Sequence, residues 1–109
     1  MTRPPLGQFE QLVLLAILRL GDSAYAPAIL EELEQRTGRP ASAGSMYVTL
    51  DRLESKGLLR SRLADASDER GGRPRRYVTV SALGLRELRT SRKALLNLWN
   101  GLEGLLEKS

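Results

Sequence analysis

The chain has 109 residues, which suits one domain, and its 17 Lys and Arg residues exceed its 13 Asp and Glu residues to give a net charge of +4. It has no cysteine and no histidine, so a disulfide framework, thiolate chemistry and the commonest general base and metal ligand are excluded. We therefore expect no enzyme, no metal site and no cofactor. The charge favours a polyanionic partner, either nucleic acid or an anionic membrane surface, with a merely basic protein as the alternative.

The first predicted helix runs from Leu6 to Leu20 and is apolar on almost every side. A helix that is apolar all round must be covered all round, so we expect part of it to face a partner chain. Gly21 is expected to end it. Residues 1–5 lack the layout of a signal peptide, and no apolar run approaches the ~18 residues of a membrane span, so we expect a cytoplasmic protein.

Two further helices are predicted before the middle of the chain. The second covers 26–37, with a proline tolerated in its first turn. Ser42 is the expected N-cap of the third helix, which runs to Lys56 and ends at Gly57.

A hairpin and a long helix complete the chain. Strands are predicted over 58–66 and 73–80, with a glycine-bearing turn at 67–72. Ser81 is the expected N-cap of a last helix that reaches about Lys108.

This order of elements predicts a mainly α fold with a small β-hairpin wing. It is a winged helix-turn-helix domain over 1–80, followed by a C-terminal dimerisation helix over 81–109.

One side of the third helix is free of acidic residues, which suits contact with DNA. This outward side is predicted to consist of Ser45, Val48, Thr49, Arg52, Ser55 and Lys56. Because a helix fits the major groove and its N-terminal residues usually reach the base edges, the first four are expected to read sequence. A solvated polar face is the alternative.

Three more residues of this region are predicted to contact DNA, and two are predicted not to. The contacts are Ser42, Lys56 and Tyr47, although a purely structural role for the tyrosine is open. Asp51 and Glu54 lie at the flanks, where they can pair with neighbouring cations instead of meeting phosphate.

The hairpin carries a dense group of arginines. They are Arg70, Arg73, Arg75 and Arg76. A polyphosphate relieves the repulsion between such charges and releases counterions, so we expect this wing to grip the DNA backbone. A flexible loop without such a role is the alternative, and Arg76 and Arg62 are also candidates for ion pairs inside the domain.

The last helix carries leucines at heptad spacing, which is typical of a coiled-coil seam. The predicted dimer interface consists of Leu88, Leu95, Leu98, Trp99, Leu102 and Leu105, together with Leu12 of the first helix. A two-fold homodimer would place two third helices in successive major grooves, so an inverted-repeat operator is expected. Gly101 and Gly104 either allow close helix crossing or mark a fraying end.

Three segments resemble the PadR family of bacterial transcriptional regulators over Leu6 to Gly84. They are LGQFEQLVLLAILRLG, SAGSMYVTLDRLESKGLL and ERGGRPRRYVTVSALG. The second holds the family's Tyr-x-x-Leu-x-Arg-Leu-Glu-x-x-Gly pattern, whose residues here are Tyr47, Leu50, Arg52, Leu53, Glu54 and Gly57. One departure is Tyr25-Ala26-Pro27, where members of the family often have Tyr-Gly.

The resemblance implies a winged-helix dimer that binds operator DNA, usually as a repressor, and the chain length fits the subfamily with one short C-terminal helix. Some members bind flat, apolar small molecules between the two subunits. Trp99 and Leu95 would then be candidate walls of a ligand site, and an interface anchor without a ligand is the alternative. A winged-helix adaptor that binds protein instead of DNA is the competing function.

Overall fold

The chain forms five α-helices and one antiparallel β-hairpin over residues 6–64 and 74–107, which are those that the computed structural model describes. The elements in chain order are α1 Gln8–Leu20, α2 Ala26–Thr37, α3 Ala43–Ser55, β1 Leu59–Leu63, β2 Arg76–Val80, α4 Ala82–Trp99 and α5 Glu103–Glu107. One turn of 3-10 helix joins α1 to α2. This order confirms the predicted fold, a mainly helical winged helix.

The helix boundaries follow from capping residues that the sequence predicts. The hydroxyls of Ser42 and Ser81 each accept a hydrogen bond, 3.0 Å long, from the backbone N–H three residues later, and so begin α3 and α4. Gly21 and Gly57 take φ values of +60° and +78° after α1 and α3, a conformation that glycine adopts without strain.

The hydrophobic core is formed mainly by α1, α2 and α3 and is closed by the hairpin. Each fully buried large aliphatic side chain stabilises the fold by roughly 1.5–3 kcal/mol. The largest fully buried side chains are Val13, Leu14, Ile17, Ile29, Met46, Leu50, Leu53, Leu58, Leu59 and Val78. The core thereby packs the base of the hairpin against α3.

The register of the hairpin assigns its side chains to two faces. Leu59 pairs with Val80, Ser61 with Val78 and Leu63 with Arg76. Because side chains alternate along a strand, these pairs share the face that contains buried Leu59 and Val78. The predicted turn at 67–72 lies outside the described residues.

The predicted single C-terminal helix is wrong, because the chain breaks it in two. Helix α4 ends at Trp99, Gly101 takes a φ of +86°, and α5 begins at Glu103. The carboxylate of Glu103 accepts a hydrogen bond from the backbone N–H of Gly101, 3.0 Å long, which stabilises the break. The heptad seam therefore does not continue as one helix past Trp99.

The N-terminal half of α4 packs on the winged domain through buried Gly84 and Leu88. The division into 1–80 and 81–109 stays a prediction. Among the described residues, no helix is long and apolar enough to cross a membrane.

Candidate nucleic-acid interface

The exposed face of α3 presents a short stripe of side chains one helical turn apart. Ser45, Val48 and Arg52 are all exposed, with 57% of Val48 accessible. Ser42 precedes the stripe as the N-cap, and its hydroxyl donates to that of Ser45 at 3.0 Å. Among the residues that the structure describes, no carboxylate lies within ion-pair distance of Arg52. The stripe therefore offers a cation, hydroxyls and an apolar surface for base edges.

The prediction that Thr49 faces outward is wrong. Its exposed fraction is only 5%, and it lies among the buried residues of α3. Met46, Thr49 and Leu53 follow helical spacing of three and four, so the threonine falls on the arc that packs against the core. This spacing is visible in the sequence and was the signal that the prediction missed.

Lys56 also departs from its predicted outward position. Its Nζ lies 2.8 Å from Oε2 of Glu10, and this ion pair joins the C-terminal end of α3 to the first turn of α1. Burial acts to raise the pKa of Glu10, but hydrogen bonds from Lys56 and the backbone N–H of Gly7 outweigh it and lower that pKa. Lys56 thus joins α3 to α1, and its predicted contact with DNA stays a prediction.

Tyr47 is half exposed and borders a cavity between α3, the start of α2 and the wing. The cavity has a volume of about 300 Å³ and is lined by Tyr25, Ala26, Pro27, Tyr47, Leu50, Pro74, Arg75 and Arg76. Its rim combines two phenol rings with two guanidinium groups. Of these groups, the phenol of Tyr47 and the guanidinium of Arg75 are suitable hydrogen-bond donors for phosphate oxygens next to the exposed stripe of α3.

Arg75 is positioned by two tyrosines. Its guanidinium carbon lies 4.2 Å from the centre of the Tyr25 ring, and its Nη1 donates to the hydroxyl of Tyr77 at 3.3 Å. That hydrogen bond raises the pKa of Arg75. Arg62 covers the Tyr77 ring at 4.6 Å, and the two tyrosine rings are 5.7 Å apart. No local pattern in the sequence indicates this stack, because Tyr25, Arg62 and Tyr77 are far apart in the chain.

Arg76 takes the ion-pair role that the sequence left open. It lies 3.0 Å from Oδ1 of Asp51 and 2.6 Å from Oε1 of Glu54, both on α3. The two acidic residues at the flanks of α3 therefore pair with a wing cation, as expected. The other two predicted wing residues, Arg70 and Arg73, lie outside the described residues.

The predicted dimer residues divide into two groups. Leu88 is buried in its own chain, so the prediction that it faces a partner is wrong. Leu12 is only partly buried against the core, and its place at the interface stays a prediction. Exposed, in contrast, are Leu95, Leu98, Trp99, Leu102 and Leu105. On α1, Leu15 and Leu18 are 47% and 43% exposed.

The two predicted ligand walls, Trp99 and Leu95, border a groove between α1 and α4. Its volume is about 450 Å³, and its other apolar lining residues are Leu15, Leu18, Leu85, Leu88 and Leu96. Within the described part of the chain, no cluster of acidic side chains could hold a metal ion.

These features define the chain as a winged helix-turn-helix protein with an exposed stripe of Ser45, Val48 and Arg52 on α3 and arginines on the wing. Residues 14–90 match the profile of the transcriptional regulator PadR-like family, and the chain belongs to that family. No protein of curated function matches the sequence.

Solved structures agree with this assignment. A PadR family transcriptional regulator from Eggerthella lenta is 33% identical, covers 91% of this chain and 84% of its own, and superposes with a TM-score of 0.67. A PadR-like transcriptional regulator from Bacillus cereus is 22% identical, covers 90% of both chains and has a TM-score of 0.71. One from Clostridium difficile is 23% identical, covers 92% of this chain and 96% of its own, with a TM-score of 0.68. All three are described as transcriptional regulators.

Proposed function

We propose that this chain is a transcriptional repressor that binds an inverted-repeat operator in duplex DNA as a homodimer, in the cytoplasm. The observation that supports it most is the exposed stripe of Ser45, Val48 and Arg52 on α3, with Arg75 of the wing beside the same helix. The stripe fits the major groove, where a guanidinium can pair with guanine and an apolar side chain with a thymine methyl.

Arg75 is proposed as a backbone contact. Its stacking on Tyr25 and its hydrogen bond to Tyr77 hold the guanidinium in one place before DNA arrives. A positioned cation loses less conformational freedom on binding than a mobile one, so it contributes more to the free energy of binding. Contacts of this kind orient the protein on the duplex without reading its sequence.

The homodimer is proposed from the apolar surface that a single chain leaves uncovered. Exposed or half-exposed leucines lie on α1, α4 and α5, and a contiguous exposed apolar patch commonly marks an interface. A two-fold arrangement places two copies of α3 in major grooves roughly one turn, ~34 Å, apart.

The groove between α1 and α4 is proposed as the site of a flat, apolar effector that releases the operator. Trp99 supplies an aromatic wall, and apolar side chains form most of the remaining lining. A planar apolar dye should quench the fluorescence of Trp99, the one tryptophan of the chain, and should weaken DNA binding at the same concentration. Quenching without any effect on DNA binding would contradict an effector role.

DNA binding is tested by fluorescence anisotropy with duplexes from the region upstream of the chain's own gene and with shuffled duplexes. Arg52→Ala should reduce the preference for the operator by about 1–3 kcal/mol. Arg75→Ala should weaken binding to both duplexes equally and should reduce the slope of log K against log salt by about 1. Lys93→Ala, an exposed cation on α4, is the control and should change neither.

Two results would contradict the proposal. Absence of any binding at low salt would favour the adaptor function. Equal behaviour of the Arg52 and Arg75 variants would remove the distinction between a reading and an anchoring residue.

The dimer is tested by sedimentation at about ten micromolar protein. Leu98 is 75% exposed, so Leu98→Glu should yield folded monomers, whereas Lys93→Glu on the same helix should not. A monomeric wild-type protein at this concentration would contradict the homodimer.

A further inference from the structure

Arg76 makes three directed hydrogen bonds that join the wing to the reading helix. Its Nε donates to the hydroxyl of Ser61 at 2.9 Å, its Nη1 to Asp51 at 3.0 Å and its Nη2 to Glu54 at 2.6 Å. Ser61 lies on β1, Arg76 on β2, and both acceptor carboxylates on α3. One guanidinium therefore connects three separate elements.

The connection is a closed ring and not a single contact. The hydroxyl of Ser61 accepts from Arg76 and donates to Oε1 of Glu54 at 2.5 Å, and the same oxygen accepts from Nη2 of Arg76. Hydrogen bonds from Ser61 and then Arg76 lower the pKa of Glu54, so the carboxylate stays charged. The planar fork of arginine suits this geometry, whereas the ammonium of lysine does not.

Arg75 and Arg76 are neighbours, but the pleat of the strand sends them to opposite faces. Arg76 shares a face with buried Val78, which points towards the domain. Arg75 reaches Tyr77 on the other face. The two arginines therefore have different surroundings, and a phosphate would have to displace two carboxylates to reach Arg76.

We infer that Arg76 is a positioning residue, which holds the wing at a fixed angle to α3 through Asp51, Glu54 and Ser61, and that it does not bind DNA phosphate. The inference rests on the proposed function, because the angle matters only if α3 and the wing contact one duplex together. We call these hydrogen bonds of Arg76 to Asp51, Glu54 and Ser61 the latch. A wing that is already fixed loses less conformational freedom on binding, so the latch raises the affinity for DNA without contacting the DNA itself.

A double-mutant cycle on DNA affinity separates positioning from phosphate contact. Arg76→Met should weaken binding to the operator by about two- to tenfold, as expected when one ordering contact is lost. The same substitution in a background of Asp51→Asn and Glu54→Gln should have almost no effect, since the latch is already absent there. A phosphate contact would give an equal or larger loss in that background, because the freed guanidinium would reach DNA more easily.

Two further readouts distinguish these roles. Arg76→Met should leave the slope of log K against log salt unchanged, and Arg76→Lys should lose as much affinity as Arg76→Met. A slope lower by about 0.9 for each lost phosphate contact, or retention of wild-type affinity by the lysine variant, would overturn the inference.

The latch is also measurable without DNA, which separates its failure from failure of the proposed function. Amide hydrogen exchange in β2 of the free protein should be faster in Arg76→Met than in wild type. Arg60→Met, which removes an exposed arginine from the other face of the hairpin, is the matched control and should leave exchange unchanged. Unchanged exchange in Arg76→Met would overturn the inference even if the protein binds DNA as proposed.

Discussion

Gly84, in the first turn of α4, allows the C-terminal helix to pack on the winged domain. A Cβ at this position would lie 2.2 Å from the carbonyl oxygen of Leu58 and 2.7 Å from a methyl carbon of Val80. Ordinary contacts begin near 3.4 Å, so the backbone at Leu58 would have to move by about 1 Å. That backbone is held in place, because the same carbonyl accepts a hydrogen bond from Ser81.

We expect Gly84→Ala to destabilise the protein. Overpacking of a core costs roughly 1–3 kcal/mol, and we expect the upper end because the opposing atom belongs to the backbone. Alanine favours the helix by up to about 1 kcal/mol over glycine. The free energy of unfolding should therefore fall by about 2 kcal/mol in total. A loss of this size lowers the midpoint of thermal unfolding by roughly 8–16 °C in a domain of about 100 residues.

The assay is thermal and urea unfolding followed by circular dichroism, at one protomer concentration because dimerisation would shift the midpoint. Gly44→Ala is the matched control, since Gly44 lies in the first turn of α3 and a Cβ there meets no atom within 4 Å. It should be neutral or stabilising. If Gly84→Ala were as stable as Gly44→Ala, the packing of α4 described above would be wrong.

Two further predictions concern buried polar groups. Thr49→Val should leave the preference among operator sequences unchanged in the anisotropy assay, because a side chain that is 5% exposed does not reach a base; a changed preference would restore Thr49 to the reading face. Glu10→Gln should reduce the free energy of unfolding by about 1.5 kcal/mol at pH 7, the value of a hydrogen bond to a charged group. The folded-state pKa of Glu10 lies below its ordinary value of 4.5, so its contribution is present above that pH and is lost as the pH falls through the folded-state pKa. The difference from wild type should therefore shrink in urea unfolding as the pH is lowered step by step below 4.5, and a difference independent of pH would refute the Lys56 pair as its cause.

Much of the fold was predictable because it depends on residues close together in the chain. Capping by Ser42 and Ser81 needs only a backbone N–H three residues away, and helix ends at Gly21 and Gly57 need only a glycine. Apolar spacing likewise located α1, α2 and α3. The exposed positions of Ser45, Val48 and Arg52 follow from the same local periodicity.

The roles of individual charged side chains were not predictable in the same way. The partners of Arg76 lie 22 and 25 residues earlier in the chain, and Lys56 is 46 residues from Glu10. Sequence indicates that such cations are present, but only the packing of distant elements decides which of them meet carboxylates.

The C-terminal region shows the same division. The sequence by itself determined that leucines and Trp99 recur at near-heptad spacing, and it left the role of Gly101 open. Only the tertiary structure decided that Leu88 packs within its own chain and that the helix ends at Trp99. The physical reason is that burial depends on which surfaces the folded domain already covers, and a helix break depends on the φ that a glycine actually adopts.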